Sequence, residues 1–316
     1  MDIAPSFLPL LQVFATEMTK PTFHTFTTLI TGWVFAPCRT ILGMVRATGS
    51  ERHPAAFHRL FAVARWAVDR VGLAVFDLVT TNVQTVFLGG DDTLLSRSGL
   101  KVFGTGMHRD PLLSSRSHTV TRWGHCWVVL CVVFESRWCP GRRFALPVLC
   151  RLYLNQTSAA KWNRTYQKKT DLMIEMLCRL ERHAASGKRL HFLGDSAYTA
   201  PAVLAQIPRA IQVTGRVVAN VRLHEAPPTR APGQVGRPRK RGPRLPTPQE
   251  RLDAKGACRR TLTLYDHAVY SVRLAEQMGR FYKAPDRDVK VIALEHLRGG
   301  RGVEVFYTTE TVALAE

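Results

Sequence analysis

The sequence predicts an α/β protein: helices first, strands alternating with helices in the middle, and strands towards the end. Three observations carry this. Residues 1 to about 80 repeat apolar side chains at helical spacing. The middle of the chain holds a continuous apolar run, Trp127 to Phe134, as a central strand buried on both faces would. Beyond a proline-rich interruption, four short strand-like segments follow one another.

In the first region, Ala55-Ala56-Phe57, Leu60-Phe61-Val63-Ala64 and Trp66-Ala67 mark the helical repeat, and Pro54 suits a first turn. From 81 to 225, Thr85-Val86-Phe87-Leu88 reads as a short strand. Ala145 to Tyr153 is another, and Pro147 argues against a central position for it. Thr170 is placed to cap a helix running to about Ala185, with Leu172, Met173, Met176, Leu177 and Leu180 as its apolar stripe and Gly187 as its stop. Leu190-His191-Phe192-Leu193 follows as a strand. Residues 226–248 contain seven prolines, six basic residues and no acid, which predicts an extended, mobile loop. Strands then return at Arg260–Leu264, His267–Leu274, Val289–Leu294 and Val303–Thr308.

The chain has 316 residues, 46% of them apolar, which is a globular composition. Its formal charge is +20, from 44 basic and 24 acidic residues. Residues 1–80 contribute +2, residues 81–225 contribute +11, and the remainder +7. Such an excess calls for a polyanionic partner. No apolar run approaches the roughly 18 residues of a membrane span, and Asp2 precedes Phe7-Leu8 without a basic n-region. Nucleic acid is therefore the expected partner. The seven cysteines are irregularly spaced and form no Cys-x-x-Cys pair, which fits reduced core thiols of a cytosolic protein and not a zinc site.

Two acidic segments stand out. Asp91-Asp92 follow Thr85 to Gly90, and Asp195 follows Leu190 to Gly194. Each is an apolar strand, then glycine, then carboxylate. A strand tip is a rigid platform, and adjacent glycines let a bulky backbone such as DNA approach. Two carboxylates on neighbouring tips can share Mg²⁺, whose remaining positions go to phosphate oxygens and water. A Gly-Asp after a strand is also an ordinary turn.

At these residues the chain resembles a family. Gly90-Asp91-Asp92-Thr93-Leu94-Leu95-Ser96-Arg97-Ser98-Gly99-Leu100-Lys101 is similar to the segment around the first catalytic aspartate of the DDE transposases of bacterial insertion sequences. Gly124 to Leu130 resembles the strand that follows it there, and Leu193-Gly194-Asp195-Ser196-Ala197-Tyr198 the second aspartate segment, 104 positions beyond Asp91. Gly236 to Gly242 resembles a basic loop, and Tyr307-Thr308-Thr309-Glu310-Thr311 the strand end before the helix of the catalytic glutamate.

The resemblance implies an RNase H-like mixed sheet core at 81–210, a helical region at 1–80, and a mainly β insertion at 211–308 that contains the loop 226–248. It implies the start of a truncated core helix at 309–316. It further implies Mg²⁺ (or Mn²⁺), held by Asp91 and Asp195 with Asp92 as the fallback, and water attack at an element end followed by strand transfer. The partners implied are duplex DNA, gripped at Arg237, Arg239, Lys240, Arg241 and Arg244, and a second copy of the chain once on DNA. The location implied is bacterial, cytoplasmic and nucleoid-associated. Gly89-Gly90 depart from the bulkier strand end usual in the family. The expectation is a truncated copy with impaired catalysis. The alternatives are a non-catalytic basic DNA-binding protein and a stand-alone RNase H-like nuclease.

Two other segments invite a functional reading. His108-Arg109-Asp110, with Arg116, His118 and Arg122, reads as a solvated loop or as a phosphate contact. Lys161, Trp162, Arg164, Tyr166, Lys168 and Lys169 interleave bases and aromatics as strand-binding surfaces do, or else lead amphipathically into the next helix. No nucleophile elbow and no Gly-rich phosphate loop with a following Lys-Ser/Thr is present.

Overall fold

The structure is a computed structural model that describes residues 7–115, 117–136, 139–229, 235–237, 239–254, 257–264, 268–297 and 302–310. The chain divides into two compact units, Met1–Asn82 and Val83–Glu316.

The first unit is helical: α1 (Leu8–Gln12), α2 (Lys20–Phe35), α3 (Ile41–Thr48), α4 (Pro54–Ala62) and α5 (Val68–Thr80). Thr40 caps α3 by accepting from the Gly43 amide, and Gly49 ends it at φ +65°. Phe57, Leu60, Leu29, Met44 and Val45 form its core. Gly32 lets α2 meet α3 closely, since a Cβ there would lie 2.2 Å from the Met44 carbonyl oxygen.

The second unit is built on one mixed sheet. Its first part comprises β1 (Thr85–Ser96), β2 (Gly106–Arg109), β3 (Thr121–Glu135), β4 (Arg143–Tyr153), α6 (Gln156–Lys161), α7 (Lys169–His183), β5 (Arg189–Gly194), α8 (Pro201–Leu204) and β6 (Ile211–Val217). Then come β7 (Leu223–His224), α9 (Pro248–Asp253), β8 (Cys258–Leu264), β9 (Ala268–Phe281), β10 (Ala284–His296) and β11 (Val303–Thr308).

The central order is β4-β3-β1-β5-β6. The first three strands are antiparallel neighbours, whereas β1, β5 and β6 run parallel. This is the RNase H-like core. β11 extends the sheet antiparallel to β6, and β10 and β9 follow. The predicted stripe of α7 is its buried set, and α7 lies against β3 and β4. The shared buried face includes Leu88, Val128, Leu130 and Phe192, all at 0% exposure.

Several expectations need correction. β1 does not end at Leu88 but continues to Ser96, because β3 keeps pairing with it as far as Ser96↔Gly124. β3 is fully buried on one face only, with Trp127, Val129, Cys131 and Val133 half-buried on the other. Thr170 is not the helix cap. Asp171 closes the first turn of α7 instead, its carboxylate accepting from the Lys168 amide at 3.3 Å. Residues 211–217, assigned from sequence to the insertion, form β6 and pair with β5, so the departure from the central order comes after Val217. Pro147 sits in β4, which among the described strands pairs with β3 alone, at a register shift. The expected start of a helix at 309–316 lies, beyond Glu310, outside the described residues.

Candidate active site

β1 and β5 are hydrogen-bonded parallel neighbours, in register through Gly90↔Gly194. Asp91 and Asp195 are each the next residue beyond that pair. There β5 leaves the sheet in a turn, while β1 runs on against β3. Neighbouring strands stand about 4.8 Å apart, so the two acids emerge side by side where the sheet opens. This is mid-strand for Asp91, not the strand tip expected from sequence.

Strand alternation then separates Asp91 from Asp92. Asp92 shares a face with Leu88 and Gly90, the face covered by α7. Asp91 lies on the opposite, exposed face with Phe87 and Gly89. The hydrogen bonds follow this division. Asp91 Oδ1 accepts from the Asp92 amide at 2.7 Å, and its Oδ2 has no partner among the described residues. Asp92 is fully engaged: Oδ1 accepts from the Tyr198 hydroxyl at 2.9 Å, and Oδ2 from Lys169 Nζ at 2.6 Å and the Cys126 thiol at 3.5 Å.

Asp195 caps its own turn. Its Oδ1 accepts from the amides of Ala197 (3.0 Å) and Tyr198 (3.1 Å), and its Oδ2 is free of partners among the described residues. The Thr199 hydroxyl and amide both donate to the Asp195 carbonyl. Thr199 packs onto Gly215 of β6, and its carbonyl accepts from the Tyr307 hydroxyl of β11 at 2.7 Å. The Asp195 turn is thus pinned to β1, β6 and β11.

The groups behind the acids are perturbed. Burial, then the charge of Asp92, pushes the Tyr198 phenol well above its ordinary value, with a smaller push from Asp91, so Tyr198 stays a proton donor. Burial, the largest single influence, would lower Lys169, but its hydrogen bond to Asp92 together with the charges of Cys126 and Asp92 makes the net shift upward. Burial pushes the Cys126 thiol up to about 11. His108 is held below its usual value by burial and by the nearby Lys169 charge.

On the exposed side of the sheet, His191 of β5 accepts from or donates to the Thr214 hydroxyl through Nε2 at 2.8 Å. It faces Glu310 Oε2 at 3.5 Å through Nδ1. These residues line a cavity of about 160 Å³ with Phe306 and Ile292. Burial lowers the pKa of His191, and Glu310 opposes that shift. His191 lies four residues before Asp195, roughly 13 Å at the rise of a strand, so Glu310 is occupied away from the pair of acids.

The basic loop is anchored at its base. The Glu225 amide donates to the Pro243 carbonyl, the Gly242 amide donates to the Glu225 carbonyl, and the Leu245 amide donates to the Leu223 carbonyl. Arg237, Arg239, Lys240 and Arg244 are exposed. Arg241 is not free as the sequence suggested: its guanidinium lies 3.4 Å from the centre of the Tyr282 ring, and its Nε donates to the Tyr282 carbonyl. Pro238 and residues 230–234 lie outside the described set.

In the other candidate segments several side chains make contacts within the fold, and Arg116 lies outside the described residues. Lys161 donates to the Leu100 carbonyl, Trp162 packs edge-on against Phe103, and Tyr166 meets Tyr153. His108 and Arg109 form β2 rather than a loop, and Asp110 is buried in a turn with an ion pair to Arg122 at 3.2 Å. No disulfide joins cysteines among the described residues. Among the described residues no helix is long and apolar enough to cross a membrane.

Hard oxygen donors suit Mg²⁺ or Mn²⁺, and Asp91 and Asp195 each offer one uncommitted carboxylate oxygen, so the residues present fit such an ion. Among the described residues no group of three His, Cys, Asp or Glu side chains is clustered for a metal. Sequence reasoning assigned no site role to Tyr198, Thr199 or Tyr307, and placed Lys169 on a strand-binding surface or a lead-in to the next helix, whereas it bonds Asp92. Their roles depend on which face each side chain takes, and no spacing in the chain states that. A family model described as DDE superfamily endonuclease matches residues 13–271. No curated protein matches the chain.

Proposed function

The chain belongs to the DDE superfamily endonucleases, and on that footing we propose that it is a transposase that cuts and joins DNA strands at Asp91 and Asp195. One observation carries the reading: the two acids follow the paired glycines Gly90 and Gly194, and each keeps one carboxylate oxygen uncommitted. Mg²⁺ or Mn²⁺ held there would supply charge neutralisation on a phosphate and a water of lowered pKa. The protein's own part is placement. The Asp195 turn fixes one carboxylate oxygen so that the other is presented outward.

Duplex DNA is the proposed substrate, supported by the net charge of +20 and by the exposed Arg237, Arg239, Lys240 and Arg244. Assembly of two copies on DNA and a cytoplasmic, nucleoid-associated location belong to the same proposal. A second reading, DNA binding without cleavage, is favoured by one observation: Glu310 is engaged by His191 rather than by the acid pair.

One experiment decides between them. Purified protein is incubated with duplex DNA and Mn²⁺ beside Asp91→Asn and Asp195→Asn. Cleavage by the parent that both variants lose by about 100-fold or more supports the transposase reading. Binding of DNA by all three with no cleavage by any supports the second.

A further inference from the structure

We propose that Asp92 is a positioning residue: through Tyr198 and Lys169 it braces the Asp195 turn and the start of α7 against β1, and so sets how Asp195 is presented beside Asp91. The inference rests on the proposed role of Asp91 and Asp195.

Tyr198 is the link. Its backbone amide donates to Asp195 Oδ1 at 3.1 Å, and its hydroxyl donates to Asp92 Oδ1 at 2.9 Å. One residue therefore connects the two acidic segments, which lie 103 positions apart in the chain. The side chain is 1% exposed, so water does not compete for the bond. A hydroxyl meeting a carboxylate oxygen at this distance donates to it.

Lys169 is the second arm. It is the first residue of α7, and its ammonium meets Asp92 Oδ2 at 2.6 Å while lying 5.4 Å from the centre of the Tyr153 ring. The helix it opens places Met173 over Gly90, where a Cβ would come within 2.7 Å of the Met173 methyl. The Cys126 thiol completes the set from β3. Asp92 thus ties together β1, β3, α7 and the Asp195 turn. Both of its oxygens are hydrogen-bonded within the fold, and it faces away from Asp91.

Partners that orient metal-binding carboxylates typically matter by about 10–100-fold in affinity or activity. The test uses the full chain with Asp92→Asn, Tyr198→Phe, Lys169→Met and Asp91→Asn. Three quantities are read: Mn²⁺ affinity by the loss of free-ion EPR signal, DNA cleavage, and hydrogen exchange at the amides of Ala197 and Tyr198. Asp92→Asn, Tyr198→Phe and Lys169→Met are expected to speed exchange at those amides about tenfold or more, and to weaken Mn²⁺ binding and cleavage by about 10–100-fold. Asp91→Asn should abolish both without loosening the turn. The Asp92→Asn/Tyr198→Phe double variant should be little worse than either single one, because both break the same link.

Three results overturn the proposal. Asp92→Asn could lose ion binding as fully as Asp91→Asn with the turn still protected, which would make it a ligand. The brace variants could leave all three quantities unchanged. Exchange could accelerate evenly across the unit in step with a lowered Tm, which would mean general stability only. Lys169 is partly exposed, so its variant serves if Tyr198→Phe fails to fold. If the parent neither binds Mn²⁺ nor cuts DNA, the proposed function fails, and the exchange readout alone still decides whether the brace exists.

Discussion

Gly215→Ala is expected to disturb the candidate site from the far side of a strand. A Cβ at 215 would lie 2.0 Å from Thr199 Oγ1 and 2.2 Å from Thr199 Cβ. Carbon atoms rest at about 3.5–4.0 Å, so more than about 1 Å of movement is needed. Thr199 has no easy way to give. It is fully buried, its hydroxyl holds the Asp195 carbonyl, and its own carbonyl holds the Tyr307 hydroxyl. Overpacking of this kind costs about 1–3 kcal/mol. At about 2–4 °C per kcal/mol for a unit of this size, Tm should fall by roughly 2–12 °C. A displacement of about 1 Å at Asp195 should also cost about 100-fold in cleavage. Gly89→Ala is the control, since its Cβ would meet only Val133 Cγ2 at an ordinary 3.5 Å. Its effect should stay within about 0.5 kcal/mol. Thermal denaturation and a Mn²⁺-dependent cleavage assay read both. Parental Tm and cleavage in Gly215→Ala, or equal damage from Gly89→Ala, would refute the steric reasoning.

Further outcomes are expected. DNA affinity should fall steeply with salt, and replacing Arg237, Arg239 and Lys240 with Ala should reduce the slope of log K against log salt by up to about 2.7 in magnitude; an unchanged slope would clear the loop of phosphate contact. Arg241→Ala should instead lower stability, because its guanidinium is stacked on Tyr282; thermal denaturation without DNA checks this. His108 and His191 are both held below 6.5 in the folded protein, so the unfolded chain binds more protons as pH drops below that value. Their contribution is full above about pH 6.5 and is lost on acidification. The urea midpoint should therefore fall between pH 7.5 and 5.5, and His108→Gln should shrink that fall. Exposed Cys38, Cys139 and Cys258 should react with iodoacetamide at pH 8, whereas Cys126, buried and pushed up to about 11, should not; peptide mapping distinguishes them.

The fold was legible where apolar periodicity was long. The stripe of α7 could be read directly from Leu172, Met173, Met176, Leu177 and Leu180, and β11 was bounded at Val303 and Thr308. Length was misread where pairing, not composition, sustains a strand. Thr85 to Leu88 looks like a strand and Asp91-Asp92 like its end, yet β3 supplies partners for eight further residues of β1. β9 likewise runs on to Phe281 because β10 supplies partners from Val272 to Phe281. Charge predicted a basic surface but not that Arg241 would be drawn onto an aromatic ring 41 residues away.

The choice between Asp91 and Asp92 shows why a site is harder to read than a fold. Adjacent identical acids have the same chemistry, and spacing to the next threonine separates them only by analogy. The physical distinction is parity. Once β1 extends past Gly90, every second side chain turns towards α7, and Asp92 falls on that face with Leu88 and Gly90. There it meets a lysine, a tyrosine hydroxyl and a thiol, and both of its oxygens are taken. Asp91 is left on the open side, where β5 has turned away. The same break that frees Asp91 obliges Asp195 to cap its own turn through one oxygen. A parallel strand that ends one residue early thus produces two part-satisfied carboxylates side by side, and the acid beside them becomes the tie that keeps the break in place.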